Sequence, residues 1–215
     1  MENKMKKNIL AIGAHFDDIE LGCGGTVARH VANGDSVIML VLTNSAYYNY
    51  DGAMIRTVEI AKKEGIDASK ILNVDRLISV GLETKTLQYG FELIEIINRV
   101  IDENSIDIIY THWDKDVHQD HSAIGKATFN AGRHVKNIFM YRSNWYHTSF
   151  EFRGNYYSDI SDFMDTKIKS VKAHKNEYEK FGDNWIEFFV NENRNAGQKI
   201  GCKYAEAFEV VKCYV

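Results

Sequence analysis

Histidine and carboxylate side chains are concentrated in residues 14–26, AHFDDIELGCGGT, directly after the apolar run NILAIGA at 8–14. The glycines invite comparison with a dinucleotide-binding turn, but the G-x-G-x-x-G spacing is missing and the carboxylates would repel phosphate. His15 and Asp18 are three residues apart, so on a tight turn entering a helix both can face one point. Imidazole nitrogen and carboxylate oxygen are common zinc ligands. The stretch therefore favours a bound cation, with a solvated, aspartate-capped helix start as the alternative.

A second cluster of the same residue types lies in residues 111–125, THWDKDVHQDHSAIG, again where an apolar run ends. His118 and His121 are three residues apart at a predicted helix start, so both can face one point. Because the carboxyl ends of parallel strands meet at one edge of a sheet, we expect the two clusters to converge there. The alternative is that they are two unrelated polar loops.

The elements that would position these clusters alternate between strands and helices. Apolar runs predict buried strands, and apolar residues at helical spacing predict the helices between them. The strands are expected at 8–14, 36–43 and 106–113, and the helices at 25–34, 54–66, 92–104 and 120–132. Such alternation is typical of βαβ units. We therefore predict an α/β fold over residues 1–215: one domain with a Rossmann-like, mostly parallel sheet and helices on both faces.

The last third of the chain is less regular. One long helix is predicted at 162–181, with an apolar side formed by Met164, Ile168, Val171 and Tyr178. In the earlier helix at 54–66, the apolar positions at helical spacing are Ile55, Val58, Ile60 and Ala61. A closing strand is predicted at 203–215. The aromatic segment at 141–157 predicts either a platform for sugar rings or an edge hairpin that covers core or a subunit interface.

Composition excludes several classes of protein. Hydrophobic residues make up 45% and charged residues 26% of the 215 residues, as in an ordinary soluble globular protein. The net charge of −4 argues against a general nucleic-acid binder. No apolar run approaches the roughly 20 residues of a membrane helix, so we expect no membrane partner. The three cysteines form no C-x-x-C pair, which favours reduced thiols and a cytoplasmic location.

The two clusters carry a resemblance that extends over nearly the whole chain. The sequence resembles the PIG-L/LmbE-type metal-dependent N-deacetylases, whose hallmarks are A-H-P-D-D-x-x-x-G-x-G-G-T and a later D-x-H-x-D-H. Here these stretches read A-H-F-D-D-I-E-L-G-C-G-G-T and D-V-H-Q-D-H. Supporting stretches are IRTVEIAKKEG with Arg56 and Glu59, KIKSVKAHKNE with His174, and RNAGQKIGCKYAEAF. Phe16, His112 and Gln119 stand where the family usually has proline, and none of these departures removes a ligand or base candidate.

The resemblance implies a metal ion and a role for each residue around it. The metal would be zinc, with Fe(II) or Co(II) as alternatives on the same ligands, which are His15, Asp18 and His121. Three nitrogen or oxygen ligands and an open position for water are typical of a catalytic zinc site. Asp17 would be the general base, His118 would help to stabilise the oxyanion, and either a protonated His118 or Asp17 would supply a proton to the leaving amine. Asp120 would orient His118, and Arg56 would bind the substrate.

The activity implied is hydrolysis of an N-acetyl group on a small amino sugar or sugar conjugate. Self-association into a homo-oligomer is left open.

A second hypothesis is a metallo-phosphoesterase, which usually needs a carboxylate-rich clamp for two metals. It would draw on His112, Asp114 and Asp116. A third is a non-catalytic metal- or sugar-binding module. Asp17 and His118 argue against it, because binding alone needs neither a base nor an acid.

Overall fold

The computed structural model describes residues 6–214, in which nine strands and seven helices are present. The strands are β1 (Asn8–Gly13), β2 (Ser36–Thr43), β3 (Tyr47–Tyr48), β4 (Met54–Arg56), β5 (Arg76–Leu82), β6 (Ile108–His112), β7 (Asn137–Tyr141), β8 (Tyr156–Asp159) and β9 (Ala205–Lys212). The helices are α1 (Asp18–Ala32), α2 (Val58–Leu72), α3 (Phe91–Asn104), α4 (Gln119–Ala131), α5 (Met164–Lys172), α6 (Lys175–Phe181) and α7 (Asp183–Ile200). Residues 1–5 of the predicted domain and Val215 of the predicted closing strand lie outside the described residues.

Seven strands form one sheet in the order β5-β2-β1-β6-β7-β9-β8. The first five pair in parallel, and β9 runs antiparallel to both of its neighbours. In this sheet β1 lies beside β6, with Ile9 opposite Ile108. The turns that follow these two strands therefore open at the same edge of the sheet. The predicted α/β fold with a mostly parallel sheet is confirmed.

Helices cover both faces of this sheet, as predicted. One apolar cluster lies between the sheet and helices α3 and α4 and includes Leu40 and Ile97. On the other face, Met39 packs with Val27 of α1 and Leu72 of α2. A strand buried on both faces needs apolar side chains at successive positions, which explains the nearly continuous apolar runs of β1 and β2. Within residues 6–214, no helix has the length and apolar character needed to cross a membrane.

Helix α1 starts earlier than the helix predicted at 25–34, because its first turn includes Asp18, one of the predicted metal ligands. It begins at Asp18 and is interrupted at Cys23, whose φ of −144° is not helical. At Gly22, a Cβ atom would come within 2.0 Å of the ring of Tyr141, so only glycine fits against that ring. Gly22 therefore serves close packing against Tyr141.

The interruption of α1 is stabilised by a buried ion pair. Glu206 of β9 accepts hydrogen bonds from the backbone N–H groups of Gly25 (2.9 Å) and Thr26 (2.7 Å). Lys167 of α5 donates from Nζ to Glu206 (2.6 Å) and to the carbonyl oxygen of Leu21 (2.8 Å). A break in a helix leaves N–H and C=O groups without partners, and these two side chains satisfy them.

The prediction of one helix at 162–181 is wrong. The chain forms α5 and α6, which are separated at Ala173 and His174, where His174 has a non-helical ψ of 69°. The ring of His174 is fully buried and lies 3.3 Å from both Glu20 Oε1 and Arg56 Nη2. These partners are distant in sequence, so the apolar periodicity of the segment contains no signal for the break.

The apolar side predicted for 54–66 is confirmed only at Ala61, which is fully buried. The first residues form β4, and within α2 the side chains of Val58 and Ile60 are 41% and 40% exposed. The buried side of α2 is formed instead by small residues such as Gly65, on which the ring of Phe16 packs so closely that a Cβ would lie 2.1 Å from it. The ring of Phe16, which follows β1, therefore determines which face of α2 is buried.

Candidate active site

The two histidine-containing clusters meet at the carboxyl edge of the sheet, above β1 and β6. The ring centroid of His15 lies 4.8 Å from that of His118 and 5.3 Å from that of His121. The first ring follows β1, and the other two belong to the cap and first turn of α4. The parallel pairing of β1 with β6 thus places residues that are about 105 positions apart in one site.

His15, Asp18 and His121 bring one donor atom each to within 4.8 Å of one another, and both oxygens of Asp18 face the histidine nitrogens. His15 Nδ1 is 3.2 Å from Asp18 Oδ2, and His121 Nε2 is 3.3 Å from both His15 Nδ1 and Asp18 Oδ1. Ligands at about 2.0–2.1 Å from a tetrahedral zinc ion stand about 3.3 Å from one another. Burial lowers the pKa of His121, but Asp18 and Asp116 raise it to about 10. These two carboxylates favour positive charge at this position, and the residue types fit a divalent metal.

The expected contact between the carboxylate of Asp120 and the ring of His118 is wrong. Asp120 Oδ2 lies 3.1 Å from His15 Nε2, on the side of that ring away from Asp18. The same carboxylate accepts hydrogen bonds from the backbone N–H groups of Lys85 (2.7 Å) and Leu87 (3.1 Å). A carboxylate held in this way fixes the orientation and tautomer of a metal-ligating histidine. Asp120 therefore supports His15.

His118 is held as a neutral imidazole. It caps α4, and its Nδ1 accepts a hydrogen bond from the backbone N–H of Asp120 at 3.3 Å. Burial, together with the charges of His121 and His15, lowers the pKa of His118 to about 4. A neutral ring whose Nδ1 accepts a hydrogen bond carries its proton on Nε2. His118 lines the cavity above the metal site, so this N–H is available as a hydrogen-bond donor.

Asp17 lies next to Asp18 in the chain but does not belong to the group of possible metal donors. Its φ of 129° is a backbone conformation that residues other than glycine rarely adopt. Such strain is concentrated at functional sites, where the surrounding structure holds it. Burial and the charge of Asp18 raise the pKa of Asp17 to about 7, although Arg56 and His174 oppose the shift. A carboxylate with this pKa can accept and return a proton near neutral pH.

Arg56 lies in the wall of the cavity, but its guanidinium is only 2% exposed and is bound by protein groups. It donates to the carbonyl oxygen of Phe16 and to Glu64 Oε2, both at 3.1 Å. Its Nη1 lies 3.9 Å from both Asp17 and Glu177. The geometry therefore supports a structural role for Arg56 around the Asp17 turn, and its contact with a substrate stays a prediction.

The three residues considered for a two-metal clamp do not form one. His112 is fully buried, its Nε2 accepts a hydrogen bond from the backbone N–H of Ala14 (3.0 Å), and its ring stacks on His121 at 3.9 Å. Asp116 is bound by protein groups on both oxygens. Within residues 6–214, neither of these residues nor Asp114 belongs to a group of donors close enough to bind a metal. His112, Asp114 and Asp116 therefore give the phosphoesterase hypothesis no second metal site among the described residues.

A second donor group contains His15, His118 and Asp120, and it shares His15 with the first. In this group His15 Nε2 and the Asp120 carboxylate already contact each other at 3.1 Å. Because His15 Nδ1 faces Asp18 and His121, one ring serves both groups through opposite nitrogens. In the group with Asp18 and His121, each residue has a donor atom within 3.3 Å of a donor atom of both other residues, so we take it as the candidate metal site.

The metal-site residues lie at the floor of a cavity of about 1070 Å³. Its wall is rich in aromatic side chains, among them Tyr47, Tyr48, Tyr50, Trp145, Tyr146 and Phe181. Part of the aromatic segment at 141–157 thus faces the cavity, while Tyr156 and Tyr157 begin β8 at the edge of the sheet. The segment therefore combines a cavity wall with an edge strand, and β8 pairs with β9 instead of forming a hairpin within the segment.

The loop after β7 contains site residues that carried no signal in the sequence. Ser143 is buried, and its hydroxyl donates a hydrogen bond to Asp18 Oδ1 at 2.8 Å. The next residue, Asn144, lines the cavity and binds Asp116. Serine and asparagine are ordinary loop residues, so only their position beside the metal site distinguishes them.

Comparison with known proteins agrees with this geometry. Residues 10–132 match the family model described as PIG-L, GlcNAc-PI de-N-acetylase. The chain is 31% identical over 179 residues to the uncharacterized deacetylase YaiS of Escherichia coli (strain K12), with 79% of this chain and 91% of YaiS aligned. It is 25% identical over 226 residues to diacetylchitobiose deacetylase of Thermococcus kodakarensis, with 95% and 83% aligned. The crystal structure of the conserved protein TT1542 from Thermus thermophilus matches with a TM-score of 0.83 and 26% identity over 96% of both chains. The chain therefore belongs to the PIG-L family.

Proposed function

We propose that this protein is a metal-dependent N-deacetylase that hydrolyses the acetyl amide of an amino sugar or sugar conjugate. The observation that carries the proposal is the convergence of His15, Asp18 and His121, whose donor atoms all lie within 4.8 Å of one another, beside Asp17 in the lining of a large cavity. Membership of the PIG-L family supports hydrolysis of an N-acetyl group. The diacetylchitobiose deacetylase of Thermococcus kodakarensis supports an amino sugar as the substrate class.

The metal in this proposal is bound by His15, Asp18 and His121. Zn(II) is the proposed ion, and Fe(II) or Co(II) are alternatives that imidazole and carboxylate ligands also accept. When bound, such an ion polarises a water molecule and lowers its pKa from 15.7 to about 7. Asp120 supports the reaction indirectly by holding His15.

Asp17 is the proposed general base. Its carboxylate accepts the proton of the water that attacks the acetyl carbonyl carbon. As the C–N bond breaks, the same group returns the proton to the leaving amine. A pKa of about 7 suits both steps, because the group loses and regains its proton at small cost near neutral pH.

His118 is the proposed hydrogen-bond donor to the carbonyl oxygen. Negative charge develops on that oxygen during the attack, and a fixed N–H group stabilises it. The contact with the backbone N–H of Asp120 holds the ring with its Nε2–H available for this role. This assignment replaces the expectation of a protonated His118 that supplies a proton, since burial keeps the ring neutral.

The cavity wall supports a sugar as the ligand. Tyr48 and Tyr146 are 57% and 52% exposed at the cavity, although aromatic rings are usually buried. Such rings offer flat apolar faces with a polar hydroxyl at the end, which suits the alternating apolar and hydroxyl-bearing faces of a sugar ring. The cavity volume of about 1070 Å³ exceeds what an acetyl group alone requires. Arg56 is kept as a proposed substrate-binding residue at the same wall.

The decisive experiment measures amine release from a panel of N-acetylated amino sugars and their conjugates. The metal-free protein should be inactive, and added Zn(II) or Fe(II) should restore activity. The Asp17→Asn variant should keep its metal and lose turnover, whereas a binding module would bind sugar equally well with or without this substitution. Full activity of metal-free protein, or no amine release from any member of the panel, would contradict the proposal.

A further inference from the structure

A carboxylate that is absent from the donor set, Asp116, contacts three parts of the site at once. Its side chain is completely buried. Its Oδ1 accepts a hydrogen bond from the backbone N–H of His118 at 2.8 Å, and its Oδ2 lies 3.3 Å from His121 Nδ1. The Nδ2 of Asn144 lies 2.9 Å and 2.8 Å from the two oxygens. The carboxylate is therefore held by fixed donors on one side and faces a metal-site histidine on the other.

His121 has a free nitrogen at the position that Asp116 faces. Its Nε2 is directed at His15 and Asp18, whereas its buried Nδ1 makes no hydrogen bond within residues 6–214. A neutral imidazole that binds a metal through Nε2 carries its proton on Nδ1. The nearest acceptor for that proton is Asp116 Oδ2.

The other histidine of the metal site has the same kind of support. His15 uses Nδ1 toward the donor set, and its Nε2 contacts Asp120, which two backbone N–H groups hold. Carboxylates behind metal-ligating histidines fix the ring orientation and raise the basicity of the ligand. Each histidine of the site therefore has its own buried carboxylate, and only that of His121 is anchored by a side chain of the cavity wall.

We propose that Asp116, anchored by Asn144, is the positioning residue for the His121 ligand. This inference rests on the proposed function, because it assumes a metal at the site. It assigns Asp116 to metal affinity and ligand geometry, with no contact to the substrate. Asn144 contributes by keeping the carboxylate at the position it has in the structure.

The test measures the dissociation constants of Zn(II) and Co(II) for the full chain by competition with a chromophoric chelator. Asp116→Asn retains an oxygen for the N–H of His118 but removes the negative charge that faces His121. We expect it to weaken metal binding by about 10–100-fold, since loss of such a supporting partner typically costs this much. Asn144→Ala should weaken metal binding by a smaller factor.

Asp114→Asn is the matched control, because Asp114 is on the same loop and, within residues 6–214, its carboxylate makes no hydrogen bond or ion pair. Its affinity should stay within about twofold of wild type.

The visible spectrum of the Co(II)-loaded protein gives a second readout, because a general loss of stability would not change it. The cobalt bands should shift in Asp116→Asn and stay unchanged in Asp114→Asn. Equal affinities and equal spectra for wild type and Asp116→Asn would overturn this inference and leave the proposed function intact. A wild-type protein that binds neither metal would overturn both. If Asp116→Asn does not fold, as judged by its melting transition, unchanged metal affinity of Asn144→Ala overturns the inference.

Discussion

Replacement of Asp17 by asparagine should change stability and activity in opposite directions. Burial and the charge of Asp18 raise the pKa of Asp17 from 3.8 to about 7. The folded protein therefore holds this proton more tightly than the unfolded chain does. As a result, the free energy of unfolding falls as the pH rises from about 4 to about 7, and the full loss is present above pH 7. A pKa shift of about three units corresponds to about 4 kcal/mol.

Asparagine has nearly the same shape and cannot carry the charge. We expect metal-free Asp17→Asn to be more stable than wild type by about 2–4 kcal/mol at pH 8, because neighbouring charges adjust and take up part of the full value. This gain corresponds to an increase in Tm of about 4–16 °C for a chain of this size. By pH 5 the gain should shrink to less than half. Turnover of the metal-loaded variant should fall by about 10²–10⁴-fold, the usual contribution of a general base.

The assay combines urea denaturation at pH 5 and pH 8, in the presence of a chelator, with amine release at pH 8 in the presence of zinc. Asp165→Asn is the control, because Asp165 is an exposed carboxylate in the first turn of α5 and its removal should change stability by less than about 0.5 kcal/mol. A stability gain that is absent at pH 8, or equal at both pH values, would refute the raised pKa. A variant that keeps more than about a tenth of wild-type turnover would refute the role of Asp17 as the base.

Three further predictions concern other parts of the site. His118→Gln should lower the rate of amine release by about 10²–10³-fold while bound zinc per chain is unchanged, and an equal loss of zinc would make His118 a ligand. His121→Ala should abolish stoichiometric zinc binding in equilibrium dialysis, and retained stoichiometry would remove His121 from the ligand set. Lys167→Met should lower the free energy of unfolding by about 3–5 kcal/mol, because Glu206 is left as an uncompensated buried charge. The exposed Lys169→Met should change it by less than about 0.5 kcal/mol, and equal effects in urea denaturation would contradict the importance of the ion pair.

Elements near the sheet could be predicted because their signals are local. The run at 36–43 coincides with β2, and 92–104 differs from α3 by one residue at its start. A strand buried on both faces, or a helix with one apolar side, repeats its pattern within a few residues. The break at His174 escaped prediction because its cause is a contact with residues on α1 and β4.

The sequence by itself determined the residue types of the candidate metal site and the strand ends at which they lie. His15 and Asp18 are close in the chain, and His121 begins the helix after a second buried strand. Such spacing restricts which side chains can meet once the strands are parallel, and the family resemblance then implied His15, Asp18 and His121 as the three donors.

Only the tertiary structure decided which carboxylate supports which histidine. Asp120 is two residues from His118 in the chain, yet its side chain contacts His15, and Asp116 is held by Asn144 from a different loop. The direction of a side chain at a helix start depends on backbone angles and on the register of the sheet beneath it. The backbone angles and the sheet register arise from packing across the whole domain. Local spacing in the sequence therefore cannot predict them.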